Sequence, residues 1–401
     1  MYRLKKLMKV LMITPYLPYP LYSGGQIRSY NLLKNLAKSH EITLFAFVKE
    51  VVPDHIKELE KFCKKIEVFK RRKAWSIVNI LVSGFSFYPF LVAIYYSLSL
   101  RERIREELFH NKYDLIHAET FYVMPNIPQT KVPILLVEQT IEYLVYAHFL
   151  ETLSLKLFKP LLALDIFKLK FWEKFYWKRA DRVVAMSASD KNKMRKLVPN
   201  LSVEIVPNGV DSSFFSQVKH KKNKLPVLLF VGNFSWLQNR EAIGFLIEKI
   251  WPNVKVKIQN AKLLIVGRNP SEQIKSLVRK FKVQLESKVD DIREAYSKSD
   301  VMIAPIFGPG GTRYKILEAM ASSLPVVTTK MGAEGLPVKH QEHIIIANEQ
   351  NTLIAQTIKL LKNEKLRRKI SVNAKLLVQG EFDWKRISAK LDKLYKSVGA
   401  S

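Results

Sequence analysis

The stretch Gly308-Pro309-Gly310-Gly311-Thr312-Arg313-Tyr314-Lys315-Ile316-Leu317-Glu318-Ala319-Met320-Ala321 decides how this 401-residue chain reads. It follows the apolar run Val301-Met302-Ile303-Ala304, closed by Pro305, and it opens a helix. A glycine-rich turn there lets backbone N–H groups come close to a ligand, and a helix N-terminus favours an anion. Arg313 and Lys315 add cations to the first turn, where they oppose the helix macrodipole and cost stability unless an anion sits beside them. Glu318 falls one turn beyond Lys315. A surface Lys–Glu pair is one reading; a site for a phosphate and a sugar is the better one. The turn is not a Walker A loop, because no G-K-[ST] ends the glycine run.

Outward from that stretch, short apolar runs alternate with helical patterns. Pro226 to Gly232, Ala261 to Gly267 and Pro325 to Thr328 are strand candidates in the second half. In the first half they are Lys9 to Ile13, Glu41 to Val48, Leu115 to His117, Val132 to Val137, Arg182 to Met186 and Val203 to Val206. Continuous apolar runs separated by helices predict parallel sheets covered on both faces. The chain therefore reads as two doubly wound α/β domains: residues 1–205 and 206–380, with a last helix over 381–401. The basic, hydrophilic stretch Ser216 to Lys224 is the best linker candidate. Ligands of such sheets bind at the carboxyl ends of the strands, so the expected site is a cleft between the two domains.

A second glycine pair, Ser23-Gly24-Gly25-Gln26, lies between the first strand and a helix. It is either a phosphate-approach turn or an ordinary strand–helix turn. Its spacing is not the G-x-G-x-x-G of dinucleotide sites. The single cysteine, Cys63, excludes a disulfide framework and a Cys-rich zinc site, and predicts a reducing, cytoplasmic setting. The apolar run Val10 to Ile13 breaks at Pro15, which reads as a buried strand and not as a secretory signal. No H-E-x-x-H or similar ligand set stands out, so no metal is expected.

The formal charge is +30, from 66 Lys+Arg against 36 Asp+Glu. The excess is spread: residues 1–218 hold 33 basic and 20 acidic side chains, and residues 219–401 hold 33 and 16. Ala74 to Leu100 carries no charge. Its serines, Gly84 and Pro89 argue for two amphipathic helices broken near Pro89 rather than a membrane span. Leu155 to Arg182 mixes Lys and Arg with Phe, Trp and Tyr, a composition suited to an anionic membrane surface.

Several segments together carry a resemblance. The stretch Gly308 to Ala321, with Pro325-Val326-Val327 and Gly332-Ala333-Glu334-Gly335-Leu336, resembles the C-terminal signature of the family 4 glycosyltransferases, which have the GT-B fold. Pro18 to Gly25, Ala180-Asp181-Arg182-Val183-Val184 with Ser187, Val206-Pro207-Asn208-Gly209-Val210-Asp211, Phe230 to Asn239 and Leu264 to Gly267 resemble that family's other segments, in order. The resemblance implies a retaining, metal-independent transferase without a cofactor, using a nucleotide-sugar donor such as a UDP- or GDP-sugar. It implies donor binding by Gly24, Gly25, Asn233, Gly310, Gly311, Thr312, Arg313, Lys315 and Glu318, with Glu318 on the ribose hydroxyls.

Two departures stand out. The signature's first Glu would fall at Gly310. The Arg and Lys expected after the first donor-domain strand are Asn233 and Gln238, which leaves Arg313 and Lys315 as the nearest cations for the diphosphate. In the first domain, Asp114-Leu115-Ile116-His117-Ala118-Glu119 is similar to the family's D-x-x-H-x-H pattern. His117, Glu119 and Glu138 are the catalytic candidates, and His117 reads equally well as a core histidine. The acceptor is expected to be a glycan or a lipid-linked sugar, with the enzyme peripheral on the inner face of the cell membrane. A soluble transferase making a small disaccharide or storage glucan is the alternative. A nucleic-acid-binding protein is the remote one, since no RNP motif, zinc finger or basic zipper accompanies the charge.

Overall fold

The computed structural model describes residues 7–152, 157, 159–220, 223–309 and 313–399. Two compact units are present: residues 1–207 with 384–401, and residues 208–383.

The first unit is built on seven parallel strands: β1 (Met8–Thr14), β2 (His40–Val48), β3 (Lys65–Lys70), β4 (Leu115–Glu119), β5 (Ile134–Glu138), β6 (Arg182–Ala185) and β7 (Val203–Ile205), in the order β3-β2-β1-β4-β5-β6-β7. The second has six: β8 (Val227–Val231), β9 (Lys262–Val266), β10 (Gln284–Glu286), β11 (Val301–Ala304), β12 (Val326–Thr328) and β13 (Ile345–Ile346), in the order β10-β9-β8-β11-β12-β13. In each unit the chain first winds to one side and then returns to wind to the other. The strand order reverses between β1 and β4, and again between β8 and β11. Such a reversal leaves a crevice at the carboxyl ends of the two strands.

The apolar runs explain the sheets. Val10 to Ile13 and Val301 to Ala304 are wholly buried, as strands covered on both faces must be. Three edge strands did not stand out in the sequence. β3 reads Lys-Ile-Glu-Val-Phe-Lys and is half-buried; β10 has three residues and β13 two. Edge strands carry charge and little apolar signal because one side of each is open.

Ser216 to Lys224 is not the junction between the units. The chain passes from one to the other at Pro207–Asn208. The stretch is tied into the second unit: the Ser297 hydroxyl donates to the Lys219 carbonyl at 2.6 Å, and the Asn223 amide donates to the Lys298 carbonyl at 3.0 Å. Its polarity imitates a linker, but polar side chains anchor it.

The last helix, Trp384–Val398, belongs to the first unit and packs on the helix Gly24–Leu36. Its apolar side, Trp384, Ile387, Leu391 and Tyr395, is buried, and Asp392 bonds His40 at 2.7 Å. In the second unit the ends of β8 and β9 approach closely. A Cβ on Gly267 would lie 1.9 Å from the Gly232 carbonyl oxygen. Backbone cannot yield there as a flexible side chain can. Gly267→Ala should therefore destabilise the protein by about 3 kcal/mol, measured by denaturant unfolding; an unchanged midpoint would refute the close approach.

Candidate functional site

Two polar clusters form, one at each strand-order reversal. In the second unit, Asn233 follows β8, and Lys315 lies in the first turn of the helix Tyr314–Ala321, which follows β11. The two elements meet through side chains. Lys315 Nζ donates to Asn239 Oδ1 at 2.6 Å, and Asn239 Nδ2 donates to the Asn233 carbonyl at 2.8 Å. The Lys315 ammonium also stands 4.7 Å from the centre of the Phe230 ring. The Asn233 side chain accepts from the Ser235 N–H at 3.0 Å, which fixes the turn after β8.

Glu318, one turn on, accepts from the Tyr296 hydroxyl at 2.8 Å. Lys315 and Glu318 thus reach different partners, and neither is spent on an exposed helix pair. Arg313 precedes the helix. It is buried, and its guanidinium turns back to the Gly308 carbonyl at 2.7 Å. Gly310, Gly311 and Thr312 lie outside the described residues.

Burial sets the electrostatics of this cluster. It pushes Lys315 down to about 7, with the Arg313 charge acting the same way and Glu318 opposing. Burial also raises the Glu318 carboxyl, against the pull of Tyr296 and Lys315. A lysine of this kind gains its full charge when an anion arrives.

The first unit's cluster lies at the carboxyl ends of β1, β4 and β5. His117 and Glu119 sit two apart on β4 and so share a face. His117 Nε2 meets Glu119 Oε1 at 3.1 Å, and His117 Nδ1 bonds the Tyr395 hydroxyl of the last helix. Gln139 donates to Glu119 Oε2 at 2.7 Å and to the Tyr16 hydroxyl, which also meets Ser29 Oγ at 3.1 Å. Gly24 and Gly25 are the first two residues of a helix capped by Ser23, with a nine-residue loop between them and β1. A Cβ on Gly25 would lie 2.6 Å from the Tyr16 hydroxyl oxygen. The glycine therefore makes room for Tyr16, which links it to Glu119. Thr120, directly after Glu119, has φ 71°, an unusual backbone for a β-branched residue.

Glu138 is elsewhere. Register pairs Glu119 with Val137 and Ala118 with Leu136, so Glu138 lies on the opposite face from His117 and Glu119. There it accepts from the Trp177 indole at 3.0 Å. Glu173 is nearby, accepting from the backbone N–H groups of Glu142 and Tyr143 at 2.6 and 3.1 Å.

The two faces differ electrostatically. Burial raises Glu138 and Glu173 well above the usual carboxylate range, and a neighbouring carboxylate adds to each. Burial would raise Glu119 as well, but His117, Arg28 and Gln139 outweigh it and hold it low. Sequence reasoning found His117 and Glu119 but missed the connectors Tyr16 and Gln139, and Tyr296 beside Glu318. Position next to a strand end was the available signal for Tyr16 and Gln139; none marked Tyr296.

Two parallel sheets, each with a polar cluster where its strand order reverses, define a two-domain doubly wound α/β protein. Residues 22–214 match the model described as Glycosyltransferase Family 4, and residues 225–363 match that described as Glycosyl transferases group 1. The chain belongs to the family 4 glycosyltransferases, and its fold is GT-B. It is 24% identical to a 44.6 kDa protein in the cps region of Klebsiella pneumoniae, over 96% of this chain and 99% of that one. It is 25% identical to the phosphatidyl-myo-inositol mannosyltransferase of Mycobacterium leprae, over 76% of this chain and 79% of that one. The structure of Anabaena HepE in complex with UDP and glucose superposes with a TM-score of 0.67 at 15% identity, covering 97% of this chain and 100% of that one.

Glu138 and Glu173 hold protons in the folded state at pH values where unfolded carboxyls have lost them. The unfolded chain binds fewer protons there, so stability falls as pH rises from the unfolded pKa toward the raised folded values. Glu138→Gln should remove part of that fall. The check is the thermal midpoint of wild type and variant at mildly acidic and mildly alkaline pH: the gap should narrow in the variant, and an equal gap would contradict it.

Proposed function

We propose that this glycosyltransferase is retaining and metal-independent, and that it moves a sugar from a nucleotide-sugar donor, such as a UDP- or GDP-sugar, to a lipid-linked or glycan acceptor at the inner face of the cell membrane. The unit of residues 208–383 takes the donor and the other unit takes the acceptor. No separate cofactor is needed. The carrying observation is the Lys315–Asn239 bond across the reversal between β8 and β11. It brings a partly discharged ammonium to the end of β8, where Asn233 and Gln238 supply no cation. The complex of HepE with UDP and glucose supports a nucleoside diphosphate in a fold of this kind, and the mannosyltransferase relative supports a lipid acceptor.

In this reading Lys315 receives the diphosphate, whose negative charge grows as the bond from the anomeric carbon to phosphate oxygen breaks. Glu318 accepts hydrogen bonds from the ribose hydroxyls. Arg313, whose guanidinium bonds the Gly308 carbonyl, is a positioning residue just before the helix that carries Lys315 and Glu318. The acceptor oxygen bonds the anomeric carbon on the face the phosphate leaves, and its proton passes to a phosphate oxygen, so no enzyme nucleophile is required. His117 and Glu119, wholly buried and bonded to Tyr395, Gln139 and each other, act in this reading as positioning residues for the end of β4 rather than as groups that touch substrate. Glu138, committed to Trp177 on the other face, serves packing.

Nucleotide binding tests this directly. Lys315 in the free protein loses its proton near pH 7, whereas a bound diphosphate keeps it charged. Binding above that pH takes up a proton, so affinity for UDP or GDP should weaken as pH rises from about 6 to about 8. Lys315→Met should cost about 2 kcal/mol of binding and flatten the pH dependence; Lys315→Arg should flatten it while retaining more affinity. Calorimetric titration measures both. Unchanged affinity in Lys315→Met would overturn the assignment, and a donor-hydrolysis screen over nucleotide sugars identifies base and sugar.

A further inference from the structure

The four consecutive cations Lys70-Arg71-Arg72-Lys73 stand at the carboxyl end of the edge strand β3, directly before the charge-free residues 74–100. At the other end of this strand the charges are matched: Lys65 pairs with Glu107 at 2.7 Å, and Arg103 with Glu67 at 2.8 Å. At the carboxyl end they are not. The chain folds back so that Arg71 donates to the Tyr95 hydroxyl at 3.2 Å and Arg72 to the Tyr96 carbonyl at 2.9 Å.

A cavity of about 300 Å³ lies between them. Its polar lining is Lys70, Arg71, Arg72, Tyr96, Ser97 and Ser99, and no carboxylate is among the lining residues. Three cationic residues border one hollow with no carboxylate among its lining residues, a lining that suits an anion. Guanidinium groups match phosphate oxygens in geometry, and serine hydroxyls add donors.

The cavity continues into an apolar surface. Val82, from the helix Ile77–Phe85, forms part of its wall. The outer side of that helix is exposed and apolar: Ile77 is 75% exposed, Phe85 89%, and Trp75 just before it 80%. The inner side is pinned by polar contacts from the helix Lys159–Arg179. Lys168 donates to the carbonyls of Ser83 and Ser86 at 2.7 and 2.9 Å, which satisfies the helix C-terminus. Asp165 accepts from the Ser83 hydroxyl and from the Phe90 N–H. Leu161 and Phe167 on the supporting helix are exposed as well. With its backbone ends satisfied inward, the element presents hydrocarbon outward. Lys156 and Phe158 of the basic-aromatic segment lie outside the described residues, and its Tyr176 and Trp177 are core. Among the described residues no helix is long and apolar enough to cross a membrane.

We propose that this cavity binds the phosphate of a phosphate-headed membrane lipid whose hydrocarbon lies against the exposed face of the helix Ile77–Phe85. The assignment rests on the membrane reading above and gives it a specific headgroup site. Vesicle flotation of the full chain tests it, using phosphatidylcholine vesicles that carry either phosphatidic acid or phosphatidylglycerol at matched surface charge. The wild type should bind the phosphatidic acid vesicles about fivefold more tightly or better. Removing two cations together, Lys70→Ala with Arg72→Ala, should abolish that preference. Ile80→Ser with Phe85→Ser should weaken flotation on both vesicle types and keep the preference. Equal binding of the wild type to both lipids, or a preference that survives the cation changes, overturns the pocket and leaves the membrane reading standing. Undiminished flotation of the apolar-face variant overturns the lipid assignment, since phosphate alone would then hold the protein. A wild type that floats on neither vesicle overturns both.

Discussion

A parallel sheet whose strand order reverses in its middle cannot close its own carboxyl edge at that point. The crossover helices on either side of the reversal leave in opposite directions, and the two strand ends lie open between them. Each unit contains one such place, and each polar cluster is found there. Between β8 and β11 the opening is bridged by Lys315, Asn239 and the Asn233 carbonyl. Between β1 and β4 it is filled by the chain of hydrogen bonds from Tyr16 through Gln139 and Glu119 to His117.

Burial then assigns opposite characters to similar side chains. Glu119 and Glu138 lie on adjacent strands. Glu119 is held ionised by a histidine, an amide and a nearby guanidinium, whereas Glu138 faces an indole and a second carboxyl and keeps its proton. Pleat and register produce the difference, because a shift of one residue along a strand exchanges one face of the sheet for the other. Lys315 follows the same physics in reverse. Desolvation and the Arg313 charge discourage its protonation, so an arriving anion changes its state more than it would change that of a surface lysine.

The fold was largely legible because buried parallel strands must be continuous apolar runs, as Val10 to Ile13 and Val301 to Ala304 are. Edge strands escape that rule: β3 carries two lysines and a glutamate. Ser216 to Lys224 failed as a linker because composition reports solubility and not anchoring. For the site, the glycine-rich stretch and its helix were readable, since few sequences place cations at a helix start without a reason. The partners of those cations were not. Nothing near Lys315 in sequence announces Asn239, and nothing near Glu318 announces Tyr296.

The sequence by itself determined the α/β class, the family, the order of the strands' apolar runs, and the residue types available for phosphate and sugar recognition. These follow from local pattern: apolar periodicity, glycine at turns, charge at a helix start. Only the tertiary structure decided that Glu138 parts company with His117 and Glu119, that Arg313 turns toward its own loop while Lys315 reaches across, and that Gly25 is small to admit Tyr16. Those outcomes depend on register and on contacts between residues far apart in the chain, which no local pattern encodes.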